Sequence, residues 1–155
     1  MATISAPDFD AAEAQLTRMR RPLLLTHTKP DGDAIGAMLV VGHRLRSIGA
    51  EPLGVLFDPI PPRYEFLEQG GALAVYGQGF GQQELASVDG VIVVDTCTYN
   101  QLAPLADWLR TSRLPKLAID HQTLNTQLYI WVAALTTLFL SAVVSERERS
   151  ARELA

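Results

Sequence analysis

Residues 26 to 36 read THTKPDGDAIG and follow directly on the apolar run PLLL, so His27, Asp31 and Asp33 fall within seven positions. A turn explains Pro30 and Gly32, Asp31-Gly32 is a common turn pair, and Asp33 suits the N-cap of a helix. Those roles do not explain all three polar side chains together. Two other apolar runs end in the same chemistry, GVIVVDT in Asp95 and KLAIDH in Asp120 and His121. Imidazole and carboxylate donors without thiolate suit manganese, another divalent transition ion or zinc. With several anionic oxygens, one carboxylate could bridge two ions. Two metals about 3.5–4 Å apart would clamp a phosphoryl group and activate a water for in-line displacement. Each piece alone also has a plain structural reading, as a cap or a turn, and it is their recurrence after three strands that points to a metal site.

The elements that must position these groups alternate between strand and helix, which predicts an α/β fold with a parallel sheet flanked by helices on both faces. PLLLTH (22–27), PLGVLF (52–57), GVIVVDT (90–96) and KLAIDH (116–121) read as strands. Ile35, Met38, Leu39, Leu45 and Ile48 recur at helical spacing, so 34–48 reads as an amphipathic helix with Gly49 at its C-cap. A short helix is expected around Arg63 to Leu67. A longer one is expected over 99–110, where Pro104 is tolerable only near a first turn. In an open parallel sheet, ligands bind beyond the carboxyl ends of the strands, so groups far apart in sequence would meet in one crevice.

Other residues carry less. Lys29 sits inside the acidic loop, where it either touches a substrate phosphate or is an ordinary surface lysine. His43 reads as a solvated residue of the first amphipathic helix, and Trp108 and Trp131 as core or interface. Cys97 is the single cysteine, which excludes an internal disulfide and fits a reducing cytosol; it reads as a small, partly buried residue.

With 13 basic against 17 acidic residues the net charge is -4, so no broad electropositive face for duplex nucleic acid is expected. The first 22 residues lack the order of a secretory signal, and a cytoplasmic protein is expected. Residues 128–144, LYIWVAALTTLFLSAVV, are uncharged, at the short limit of the roughly 17 to 25 residues that span a bilayer. Thr136, Thr137, Ser141 and the mixed-charge flank SERERSARELA favour a buried helix over a membrane segment.

At the residues already singled out, the sequence resembles the DHH family of phosphoesterases. HTKPDGDAIGAMLVVGHRLRSIG is similar to that family's first motif, VIVVDTCTYNQL to its second, and AIDHQ to the Asp-His-His motif with its last residue changed. PDGDAIGA followed by PPRYEFL most resembles the bacterial oligoribonuclease and 3′-phosphoadenosine 5′-phosphate (pAp) phosphatase branch, of the NrnA type. The resemblance spans about residues 20 to 122. It implies a two-manganese phosphoesterase acting on short oligoribonucleotides or pAp. His27 and Asp31 would bind one ion and Asp33 the other, with Asp95 bridging and therefore central to catalysis. His121 would bind the second ion, Asp120 would support it, and Gln122 and Lys29 would face substrate. The metals would activate the water, so no serine or cysteine nucleophile is implied.

The sequence departs from the family pattern at Gln122, where the family has histidine. No aspartate follows Asp120 to serve as the fourth motif, and no DHHA1 domain is expected within these 155 residues. The organisation expected is a DHH domain over 1–123 and a divergent apolar segment, read as helical, over 124–155. That segment would be either a frameshifted or truncated product or a divergent last helix. The alternative function is an impaired DHH domain that binds metal or nucleotide without turnover; a homodimer stays open.

Overall fold

The structure is a computed structural model and describes residues 6–67 and 70–120. His121, Gln122, Trp131, the apolar run 128–144 and the whole of the expected 124–155 segment lie outside the described residues. Among the described residues, no helix is long and apolar enough to cross a membrane.

Among the described residues six parallel strands form one sheet in the order β4-β3-β2-β1-β5-β6. They are β1 Pro22–Leu25, β2 Leu53–Leu56, β3 Leu73–Tyr76, β4 Gly79–Phe80, β5 Gly90–Val94 and β6 Lys116–Ile119. Strands of a parallel sheet covered on both faces are continuous apolar runs, and PLLL and GVIVV are buried at every residue. The side chains alternate between two cores. Leu23 and Leu25 of β1, Val55 of β2 and Val91 and Val93 of β5 face one core, with Leu102, Leu105 and Leu109. Leu24, Leu56, Ile92 and Val94 face the other, with Met19, Met38 and Leu45.

Among the described residues four helices accompany the sheet: α1 Ala6–Arg18, α2 Gly32–Ser47, α3 Gln82–Leu85 and α4 Ala106–Thr111. Short 3-10 helices span Pro62–Leu67 and Tyr99–Leu105. The spacing that predicted the amphipathic helix over 34–48 is realised in α2. Ile48 is its C-cap, and Gly49 follows at φ 84, a left-handed backbone that glycine adopts without steric cost. The helix expected over 99–110 is broken instead. Pro104 lies in a 3-10 segment kinked at Leu102, and regular α-helix begins only at Ala106, because proline removes a donor and clashes with the preceding turn. Trp108 packs against the first core as expected.

Cys97 corrects the sequence reading: it is exposed, not partly buried. The predicted strand reached residue 96, whereas β5 stops at Val94, so Cys97 falls in the loop beyond the sheet.

The entry to β1 is tied to the entry of β5 by Asp89. Its two carboxylate oxygens accept the backbone N–H groups of Arg20 and Arg21 at 2.6 and 3.0 Å. Bonds to a charged acceptor are stronger than neutral ones, and this pair is exposed, so Asp89→Ala is expected to cost about 1–2 kcal/mol. A lowered urea midpoint with an unchanged denaturant slope would be the expected record.

Candidate metal centre

Strand order decides where the chemistry gathers. The chain leaves β1 for β2 on one side and returns to place β5 on the other, so β1 and β5 flank the point where the order reverses. At such a point the loops leaving the two strands diverge and open a crevice beyond the carboxyl ends. The register pairs Leu25 with Val93, so continuing each strand by two residues sets His27 opposite Asp95. Their side chains meet there, His27 Nε2 lying 3.5 Å from Asp95 Oδ2, both only about one-seventh exposed at 15% and 13%.

Asp31 joins them from the start of α2. One donor atom from each of His27, Asp31 and Asp95 lies within 4.8 Å of the other two. Asp31, not Asp33, is the N-cap of α2, a correction to the sequence reading. Its Oδ1 accepts the backbone N–H groups of Asp33 and Ala34 at 3.1 and 3.0 Å, which pins the carboxylate beside the crevice. Gly32 follows, and a side chain there would approach Tyr64 Cε1 to 2.9 Å, so the tyrosine ring lies against the backbone beside Asp31.

The protonation pattern of His27 is set by its neighbour. Nδ1 lies 2.8 Å from the Thr28 carbonyl, which can only accept, so Nδ1 carries the proton and donates. In the neutral ring that leaves a lone pair on Nε2, the atom 3.5 Å from the Asp95 carboxylate oxygen. Two acceptors this close can share a metal cation. Metal-binding histidines commonly donate their second nitrogen to a backbone carbonyl in this way. On this ground the three residues fit a divalent cation.

Asp95 itself has φ 58, left-handed for a residue that is not glycine. Aspartate tolerates this region better than most residues, and such outliers gather at functional sites. Its N–H donates to the Ile119 carbonyl at 2.9 Å, which extends the β5–β6 ladder by one bond before the chain turns.

Of the other residues named from sequence, those that are described fall outside this group of three. Asp33 is exposed in the first turn of α2 and is not one of the three. Asp120 is buried, 4% exposed, at the end of β6, one strand beyond Asp95, and is likewise not one of them. His121 and Gln122 lie outside the described residues. Lys29 is exposed, at φ 54, and its N–H donates to Asp58 Oδ2 at 2.8 Å. Asp58, which follows β2 by two residues, therefore braces the loop that carries His27 and Asp31. The sequence reading missed it, although it shows the same pattern of an apolar run ended by an acid. His43 is exposed on α2. A cavity of about 420 Å³ lined by Tyr76, Gln82, Leu85, Trp108 and their neighbours includes none of these candidate ligands.

No family profile and no curated protein sequence matches the chain. Among solved structures the chain is similar to an exopolyphosphatase-related protein from Bacteroides fragilis, with a TM-score of 0.67 and 22% identity. The likeness establishes the α/β fold. It covers 78% of this chain but 36% of that one, so this chain spans little more than a third of that neighbour's length.

Proposed function

We propose that this chain is a DHH-type phosphoesterase domain that uses manganese to hydrolyse short oligoribonucleotides or pAp. The observation that carries the reading is the approach of His27 Nε2 to Asp95 Oδ2 at 3.5 Å, with Nδ1 committed to Thr28 and Asp31 alongside. The fold, which the exopolyphosphatase-related neighbour shares, and the resemblance of the first three motifs support the same chemistry. A bound divalent cation would polarise the phosphoryl oxygens and lower the pKa of a water.

The residues themselves do the rest. His27 offers a neutral lone pair held in one tautomer by Thr28. Asp95 and Asp31 supply two negative charges that lower the net charge of a bound dication and hold it at the crevice. Without a cation the same charges repel a phosphate, which makes the site conditional on metal. Asp33, Asp120 and His121 are proposed as further ligands or supports of a second ion, and Lys29 and Gln122 as contacts to the substrate. The net charge of -4 favours a small nucleotide over a long duplex.

A second reading is an impaired domain that binds metal or nucleotide without turnover. It is favoured by the cluster itself: among the described residues three donors converge, enough to hold one ion. Titration calorimetry with Mn²⁺, joined to phosphate or mononucleotide release from pAp and a ribodinucleotide, separates the two. Metal binding with turnover supports the first reading, and metal binding without turnover the second. A folded chain that neither binds nor turns over would sink both.

A further inference from the structure

We infer that Thr96 and Gln101 are positioning residues that hold His27 and Asp95 against each other across the crevice; this rests on the metal reading of that site. A continuous run of hydrogen bonds joins the two strand ends. His27 Nδ1 donates to the Thr28 carbonyl, and the N–H of Thr28 donates to the Gln101 carbonyl at 2.9 Å. The Gln101 side-chain oxygen accepts the hydroxyl of Thr96 and, at 2.9 Å, that of Thr98. Thr96 Oγ1 also accepts the Thr98 N–H at 3.3 Å, and the Gln101 N–H donates to the Thr98 carbonyl at 3.2 Å. Thr96 directly follows Asp95, so the run begins at one candidate ligand and ends at the other.

Burial says which member anchors it. Thr96 is 2% exposed, whereas Gln101 is exposed and accepts the Thr96 hydroxyl. A buried hydroxyl that loses its partner costs free energy, so Thr96 holds the Gln101 carboxamide, and with it the Gln101 carbonyl, in place. That carbonyl fixes Thr28, and the Thr28 carbonyl fixes the ring. On the other side, Asp95 keeps a left-handed backbone between two held neighbours, its own N–H on Ile119 and the Thr96 hydroxyl on Gln101. The loop after β5 thus supplies one ligand and orients the ligand that follows β1. Histidine orientation by groups beyond the first contact is typically worth about 10–100-fold in metal affinity.

The test compares Thr96→Val, which keeps the shape without the hydroxyl, with Thr96→Ser, which keeps the hydroxyl, in the ¹⁵N-labelled 155-residue chain. Ring nitrogen shifts of His27 are read without metal, together with Thr28 amide exchange; Mn²⁺ affinity follows by calorimetry. The wild type and Thr96→Ser are expected to show a single Nδ1–H tautomer. Thr96→Val is expected to show a mixture, Thr28 exchange faster on the order of ten-fold, and Mn²⁺ affinity lower by about ten-fold or more. Gln101→Ala, at an exposed position, should shift the same signals in the same direction and serves if Thr96→Val does not fold. An unchanged tautomer and unchanged Thr28 exchange in a folded variant would overturn the inference. A wild type that binds no Mn²⁺ would count against the functional proposal instead, because the ring and amide signals are read without the metal.

Discussion

Asp95→Asn is expected to lower Mn²⁺ affinity and any phosphate release by more than about 100-fold, since loss of a supporting group beyond the ligands already costs about 10–100-fold. Asparagine is the informative replacement. It tolerates the left-handed backbone at φ 58 at least as well as aspartate, so the change removes charge while keeping the turn. The neutral carboxamide cannot offset the charge of a dication, and the cluster falls from two anionic members to one. Alanine would confound this loss with backbone strain, because its side chain gives no local hydrogen bond to support the left-handed region. The expected record is therefore an unfolding midpoint close to that of the wild type beside metal titration without detectable heat. Tight Mn²⁺ binding by folded Asp95→Asn would remove Asp95 from the metal centre, and with it the functional proposal.

The largest effect on stability is expected from Ile92→Ala, at about 2–5 kcal/mol, a large part of the roughly 5–15 kcal/mol that holds a domain folded. Ile92 is fully buried in the middle of β5, facing the core built from Leu24, Met38 and Leu45. Strands pair with β5 on both sides, Leu24 opposite on β1 and Leu117 opposite on β6, so the sheet has little freedom to close over the cavity. Ile92→Val removes one methylene and should cost about 0.5–1.5 kcal/mol. Urea denaturation of the three proteins gives the comparison. Equal midpoints for wild type and Ile92→Ala would mean that β5 is not a central strand, and the placement of Asp95 would fall with it.

Much of the framework was legible because buried parallel strands and an amphipathic helix leave strong local patterns. PLLL and GVIVV could hardly be anything but covered strands, and the period of Ile35, Met38 and Leu45 marked α2. The elements that escaped had weak patterns. β3 is only half-buried throughout, β4 is two residues long, and α3 is a single turn whose start is held by the Gly81 N–H donating to Glu84 Oε2 at 2.8 Å. α1 is faint in the sequence because most of its apolar residues are alanines; it docks through Leu16 near its end and Met19 just beyond it. From sequence Asp33 reads as the N-cap, because both aspartates suit that role by type. Only the backbone shows which of the two accepts the first free N–H groups, and it is Asp31.

The site divides along the same line. By itself the sequence determined which side chains stand at the ends of strands, and so the chemistry on offer: an imidazole and several carboxylates, without thiolates. It did so because burial of the strands forces polar groups to the first positions outside the sheet. Which of them meet was decided only by the tertiary structure. Strand order follows from how α2 and the segment after β5 cover opposite faces, and no local pattern encodes it. Had β5 been laid beside β2, Asp95 and His27 would be separated by a further strand spacing of about 4.8 Å. With β5 beside β1, the Leu25–Val93 register brings them to 3.5 Å, while Asp33 and Asp120, alike in type, stay outside the converging three.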